Sequence, residues 1–252
     1  MTNKIAIITG GSRGLGKSAA LKLAQQGVDV VVTYHSKEAE AAAVVAEIEA
    51  LGGKAAALQL DVGVSSSFDH FVQRLRAVLE QKWQRSSFDF LVNNAGVGIY
   101  NPIAQTTEEQ FDQLVNVHFK GVFFLTQKLL PLIADHGRIV NISSGLTRFA
   151  LPGYAAYASM KGAIEVLTKY LAKELGSRKI AVNVLAPGAI ETDFGHGAVR
   201  DNKELNGFIA SQTALGRVGL PDDIGGAIAA LLNQDSGWIN AQRIEASGGM
   251  FL

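Results

Sequence analysis

Short apolar runs separated by longer stretches of helical period set the pattern of this chain. Ile5–Ile8, Val28–Val32, Ala55–Leu60, Phe88–Val92, Arg138–Ile142, Ile180–Leu185 and Arg243–Glu245 are short and strand-like. Between them, apolar positions recur at helical spacing over Glu38–Leu51, Phe68–Gln81, Glu108–Ala134 and Asp222–Leu232. One further helical pattern runs through Leu21 and Leu23 to Gln26, and another carries Ile164, Leu167 and Leu171. Strand alternating with helix predicts right-handed crossovers and an α/β fold: a doubly wound parallel sheet of about seven strands with helices on both faces. No repeat, low-complexity tract or linker divides the chain, so residues 1–252 read as a single domain. The polar stretch Gln81–Ser87 reads as a surface connection before the fourth strand.

Composition narrows the function classes. Hydrophobic residues make up 48% and charged residues 18%, which suits a largely buried sheet. Basic and acidic residues balance at 23 each, so nothing points to nucleic acid or an anionic membrane as partner. The absence of cysteine excludes disulfides, thiolate metal sites and thiol catalysis, and fits a cytoplasmic location. The five histidines stand singly, without the spacing of a metal site. The first residues lack a signal-peptide pattern, and no apolar run approaches the ~18 residues of a membrane span.

The first candidate chemistry follows the first strand. Thr9-Gly-Gly-Ser-Arg-Gly-Leu-Gly16 leads from strand into helix. Glycines there let the backbone approach a pyrophosphate, and the helix start offers free amides and the positive end of its dipole. The glycines are spaced GxxxGxG, which differs from the general GxGxxG fingerprint, and turns use the same residues.

A second candidate is the pair Tyr157 and Lys161, four residues apart in a helical stretch. On one helix face their β-carbons lie about 5–6 Å apart. An ammonium beside a phenol favours the phenolate, which brings a proton donor closer to usable pH. Tyr and Lys one turn apart are also common on ordinary half-buried helices, and the spacing alone does not separate the two cases.

Together these motifs make the chain resemble the short-chain dehydrogenase/reductase family, its compact subgroup of about 250 residues, essentially end to end. The match extends through Asp61-Val62, Asn93-Asn-Ala-Gly96, Asn116 in Val115-Asn-Val117, Ser144 in Asn141-Ile-Ser-Ser144, and Pro187-Gly188 with Thr192. The resemblance implies a Rossmann fold and a catalytic tetrad of Asn116, Ser144, Tyr157 and Lys161. Tyr157 would exchange the proton with a carbonyl oxygen, and Ser144 would orient that oxygen. Lys161 would lower the phenol pKa and hold the nicotinamide ribose, and Asn116 would anchor a water behind it. Ser143 and Ser144 both also fit as strand-end hydroxyls. Implied cofactor contacts are Gly10, Ser12, Arg13, Gly14, Leu15 and Gly16, then Asp61, Val62, Asn93, Ala95 and Gly96, and finally Pro187, Gly188, Ile190 and Thr192.

Where NAD-dependent relatives place an acid at the end of the second strand, this chain carries Tyr34, followed by His35, Ser36 and Lys37. With Arg13 nearby, that pattern points to NADP(H). In this family a segment after Pro187-Gly188, here about 189–215, roofs the substrate, and Gly195, Gly197 and Gly207 suit a mobile lid. Ser144, Leu146, Phe149, Tyr154, Tyr157, Phe194 and Phe208 are the expected wall, mostly apolar; Arg148 and Arg200 cannot be placed from sequence. The expected substrate is a small ketone or secondary alcohol, which makes the chain a carbonyl reductase or alcohol dehydrogenase. The alternatives are a 3-oxoacyl carrier-protein reductase, a sugar or polyol dehydrogenase, a nucleotide-sugar epimerase, or a nonenzymatic dinucleotide sensor. The carrier reading wants a basic rim, and Ala134-Asp135-His136 before the fifth strand does not supply one. Phe111, Leu114, Phe119, Val122, Phe123 and Leu125 exceed what one helix face needs, the helix beginning near Ala155 similarly carries Ile164, Val166, Leu167 and Leu171, and the tail Ser247–Leu252 is apolar. These features predict a dimer through the two long helices and a homotetramer through the tail.

Overall fold

In a computed structural model, which describes residues 3–252, seven strands form one all-parallel sheet in the order β3-β2-β1-β4-β5-β6-β7. They are β1 Ile5–Ile8, β2 Asp29–Tyr34, β3 Ala55–Gln59, β4 Phe88–Asn93, β5 Ile133–Ile142, β6 Ala181–Pro187 and β7 Arg243–Ala246. The two-residue period of a strand sends alternate side chains to opposite faces. Ala6 and Ile8 therefore join Val30 and Val32 in one core, while Ile5 and Ile7 join Val31 and Leu91 in the other. Helices α1 (Gly14–Gln25), α2 (Glu38–Ala50) and α9 (Pro221–Leu232) cover the first face. Helices α3 (Phe68–Trp83), α5 (Gly121–Leu129) and α6 (Ala155–Glu174) cover the second. Burial on both faces is why the strands read as nearly continuous apolar runs.

Two expected elements differ. Periodicity predicts one helix over Glu108–Ala134, but the structure divides it into α4 (Glu108–Val115), a five-residue π turn Asn116–Lys120, α5 and a 3₁₀ turn Leu130–Leu132. The π turn is marked by the Gly121 amide donating to the Asn116 carbonyl. A Cβ at Gly121 would fall 2.1 Å from the Val62 carbonyl oxygen, so a glycine is needed where that loop meets the turn. Such single turns insert one residue without breaking the helix and re-aim the neighbouring groups. The fifth strand also begins earlier than expected, at Ile133, because Ile133 pairs with Phe88 before a register shift restores the ladder at Phe90–Arg138.

Sheet order reverses between β1 and β4. The loops leaving those strands diverge to opposite faces and open a crevice at the carboxyl end of the sheet, where doubly wound folds bind ligands.

Candidate active site at the sheet switch point

The glycine loop is built to bring backbone close. Gly10 and Gly14 have φ of +64° and +55°, the left-handed region that favours glycine. A Cβ on Gly16 would lie 2.3 Å from the Gly10 carbonyl oxygen, and one on Gly10 would lie 2.9 Å from the Ala95 Cα. Helix α1 starts after Arg13 with no side-chain cap and no acid in its first turn, so its leading amides are free to meet an anion. Thr9 Oγ1 accepts from the Asn94 and Ala95 amides at 2.9 and 3.0 Å. Asn94 Nδ2 donates back to the Thr9 and Gly10 carbonyls. These bonds lock the loop after β1 to the loop after β4.

The four expected catalytic residues converge beside this cradle. Helix α6 carries Tyr157 and Lys161 inward, leaving them 8% and 5% exposed. Lys161 Nζ lies 5.5 Å from the Tyr157 ring centre and donates to the Ile142 carbonyl at 2.8 Å. Ser144, just beyond β5, is hydrogen-bonded with the phenol. Its neighbour Ser143 instead donates to Glu165 Oε1 at 2.7 Å, while Ser144 Oγ accepts from the Leu146 amide at 3.2 Å and lies near enough to the phenol to oppose the rise in its pKa. Asn116 opens the π turn that packs against α6.

Electrostatics here are governed by burial. Desolvation pushes the Tyr157 phenol well above its ordinary value, with the Ser144 hydrogen bond opposing and Tyr154 adding to the rise. Desolvation also pulls the Lys161 amine down to about 7. The expectation that Lys161 lowers the phenol is thus not met in the protein by itself, because burial outweighs a neighbouring amine that is itself partly neutral. His118, 1% exposed, is a site residue that sequence reading missed. Its ring meets Tyr157 edge-on at 5.1 Å, and its Nε2 pairs with the Val97 carbonyl at 2.7 Å. Desolvation first, then the Lys161 charge, lowers its pKa to about 3, so the imidazole is neutral. A lone histidine in a helical run carries no spacing signal; the π turn brings it here.

The sequence family described as enoyl-(acyl-carrier-protein) reductase matches residues 10–251. An uncharacterised oxidoreductase of Methylorubrum extorquens is 40% identical over 250 residues, covering 99% of this chain and 98% of that protein. The chain belongs to the short-chain dehydrogenase/reductase family. Among solved structures, the promiscuous reductase LugOII, which catalyses keto-reduction at C1 during lugdunomycin biosynthesis, is 40% identical at a TM-score of 0.94. That match covers 100% of this chain and 99% of LugOII. The landomycin C-6 ketoreductase LanV, solved with NADP and rabelomycin, is 37% identical at a TM-score of 0.90, covering 99% and 97% of the two chains.

Within this short-chain dehydrogenase/reductase the remaining expected residues fall into two groups. Ser12, Val62, Gly96, Pro187 and Gly188 lie at strand ends and in the loops that follow them, whereas Leu15 is in the first turn of α1 with its side chain against the core. Thr192 sits against Gly14, whose Cβ would lie 3.6 Å from the threonine methyl. Asp61 holds the turn after β3 through the Gly63 amide at 2.8 Å and lies 3.3 Å from His35. Ser36 and Lys37 are exposed beside His35, whereas Arg13 pairs with Asp193 at 3.3 Å.

Other side chains turn away from the crevice. Asn93 is buried, donating to Thr126 Oγ1 at 3.1 Å and Asn141 Oδ1 at 2.8 Å; it satisfies a polar network within the core, and Asn94 does the loop-bridging. Ile190 packs against the core through Gly219, which leaves its backbone toward the site. The Tyr34 ring belongs to the core, and burial first, then the nearby Glu38 carboxylate, raise its phenol pKa. Phe149 stacks edge-on with Phe251 at 4.8 Å beneath the tail, so it lines a small separate cluster.

The segment after Gly188 folds as a 3₁₀ turn Phe194–Gly197 and helices α7 (Ala198–Asp201) and α8 (Lys203–Ser211). Gly195, His196 and Gly197 have consecutive positive φ of 59°, 60° and 76°. Phe194 reaches back to Tyr157, ring centres 5.8 Å apart, while Phe208 is exposed. Both arginines that sequence could not place are occupied: Arg148 by Glu245 and the Met250 and Phe251 carbonyls, Arg200 by Asp193 and Asp201. The C-terminal tail, expected as an interface, is therefore tied to its own chain, with Met250 buried and Leu252 exposed.

Proposed function

We propose that this protein is an NADP(H)-dependent oxidoreductase acting on a ketone/secondary alcohol pair, with Tyr157 as the acid/base. The observation that carries the reading is a buried Tyr157 and Lys161, with a half-buried Ser144, set beside a glycine cradle in which a Cβ at Gly16 would clash at 2.3 Å. That cradle and the uncapped start of α1 fit a dinucleotide pyrophosphate. NADP or NADPH in solved neighbours supports the phosphorylated cofactor, as does the lack of an acid at Tyr34. His35, Ser36 and Lys37 stand exposed around the place of a 2′-phosphate, and Arg13 joins them once it leaves Asp193.

When bound, the reduced nicotinamide supplies the hydride. Tyr157 Oη donates the proton to the substrate oxygen, and Ser144 Oγ fixes the angle of that oxygen. Lys161, aimed by the Ile142 carbonyl, binds the ribose hydroxyls and passes a proton back to Tyr157. Asn116 anchors the water that connects Lys161 to solvent. A raised phenol pKa keeps Tyr157 protonated as an acid for reduction; oxidation requires charge from the bound cofactor to lower it. A cytosolic setting, where NADPH is supplied, goes with this reading, and no described helix is long and apolar enough to cross a membrane. Asp135, ahead of the ladder of β5, is paired with Arg178 at 2.8 Å, which gives an acidic carrier protein no free basic rim there. Absorbance of NADPH followed with a panel of ketones tests the reading, and no turnover of any ketone would overturn it.

The quaternary proposal is a homotetramer. Phe111, Phe123 and Phe124 around α4–α5 and Val166 and Tyr170 on α6 are exposed large hydrophobics on the helices that carry the catalytic residues. A second copy related by a two-fold axis would cover them and give a dimer, and a further two-fold contact through the tail, where Leu252 is exposed, would give the tetramer. Light scattering decides: a mass of 26.7 kDa defeats it, and four times that supports it.

A further inference from the structure

Two exposed aromatic rings flank the catalytic tyrosine, each seated on a glycine. Tyr100, 64% exposed, lies so flat on Gly153 that a Cβ there would fall 2.2 Å from its ring. Gly153 has φ of +88°, and its carbonyl accepts from the Asn101 amide at 2.9 Å, which pins the Tyr100 loop to the start of α6. Phe194, 44% exposed, is seated the same way on Gly98, where a Cβ would lie 2.8 Å from its ring edge. Tyr154 bridges the set: its ring meets Tyr100 edge-on at 5.3 Å, and its phenol is close enough to raise the pKa of Tyr157. Phe194 meets the Tyr157 ring at 5.8 Å from the lid side.

Aromatic rings in edge-on and tilted contact, with interplanar angles of 72° for Tyr100–Tyr154 and 58° for Phe194–Tyr157, thus run past the proton donor and continue toward solvent. Exposed rings held by glycine backing are built features, because each glycine costs chain entropy and leaves the ring little freedom to turn. Among the described residues, Arg148, Arg200 and Arg243 are each engaged, by Glu245, by Asp193 with Asp201, and by Glu165 with Glu245, and the Lys161 amine is turned to the Ile142 carbonyl. An anionic substrate therefore has no arginine partner here, while a neutral aromatic ketone meets the exposed rings of Tyr100 and Phe194.

We infer that Tyr100, Tyr154 and Phe194 form a slot that selects neutral, planar fused-ring ketones, the carbonyl lying at Tyr157 and Ser144. Ring-on-ring contact rewards a planar aromatic ligand beyond its apolar area, whereas a puckered ring or an acyl chain gains area alone. The phenols of Tyr100 and Tyr154 add donors for oxygen substituents on the far ring. This inference rests on the reductase reading of the same site.

The test compares 1-tetralone with 1-decalone, the same carbon skeleton with saturated, non-planar rings. Each is titrated into enzyme loaded with NADP⁺ by calorimetry, and each is also assayed for reduction with NADPH. The expected result is about tenfold tighter binding and higher kcat/KM for 1-tetralone, with the difference carried by KM. Tyr100→Ala should remove most of that preference and leave 1-decalone within about threefold, and Phe194→Ala should cost 1-tetralone more than 1-decalone. Tyr100→Phe, which keeps the ring, should retain it. Equal binding of the two ketones, or equal losses on both in the alanine variants, overturns the slot. Selective binding with no reduction of either ketone overturns the reductase reading and leaves the slot standing.

Discussion

Replacing Lys161 by methionine should abolish most activity and yet make the cofactor-free protein more stable. The amine is 5% exposed, donates only to the Ile142 carbonyl, and has no carboxylate partner. Its pKa falls from 10.5 to about 7, which corresponds to roughly 5 kcal/mol against the charged form in the folded state. The lost hydrogen bond and imperfect filling by methionine return about 1–2 kcal/mol of that. A net gain of about 3 kcal/mol at pH 6.5 follows, or roughly 6–10 °C in Tm for a chain of this size. Between pH 7 and 10.5 the unfolded chain holds one more proton than the folded one, so wild-type stability rises with pH over that window. The methionine variant lacks this rise. Its advantage should be largest near pH 6.5 and close by about pH 9.5. Urea unfolding of cofactor-free wild type and variant across that range measures the gap. A variant no more stable than wild type at pH 6.5, or a gap indifferent to pH, would refute the argument that burial governs this site.

Tyr157→Phe should cut kcat by at least about 100-fold and leave NADPH binding within about threefold, since only the proton donor is lost; retention of a tenth of wild-type turnover in steady-state assays would contradict its role. Arg13→Ala should weaken NADPH about tenfold while leaving NADH nearly unchanged, because a charge-assisted bond to the extra phosphate is removed; parallel fluorescence titrations with the two cofactors measure it. His118 titrates near 3 when folded and near 6.5 when unfolded, so its contribution is present above pH 6.5 and is lost as pH falls toward 3. His118→Asn should therefore flatten the loss of stability between pH 6.5 and 5 by about 2 kcal/mol, read from urea midpoints; an unchanged acid slope would count against a buried neutral ring. Arg148→Ala should free the C-terminal tail, which loses its donors to Met250 and Phe251, and should speed carboxypeptidase trimming without unfolding the sheet.

The sequence by itself determined the sheet, the glycine cradle and the Tyr157–Lys161 pairing, while Asn116 and Ser144 are reached only through the family resemblance. The first three follow from local rules: runs buried on two faces must be apolar, a tight approach of backbone needs glycine, and one helical turn places Tyr157 beside Lys161. Sequence left open whatever depends on which side chain meets which across the fold. Ser143 and Ser144 are the same residue type at adjacent positions, and only the strand pleat sends one to Glu165 and the other to Tyr157. Asn93 and Asn94 divide in the same way between core and loop. The helix over residues 108–134 has an unbroken apolar period, but contact between Val62 and Gly121 accompanies a π turn within it, and that turn delivers His118 to the catalytic tyrosine. The Tyr157 phenol pKa rises where spacing predicts a fall, for a related reason: spacing reports a neighbouring charge, whereas desolvation depends on everything packed around it. Tyr100 carries no pattern at all, and only the approach of residue 153 from a distant segment turns it into a wall of the site.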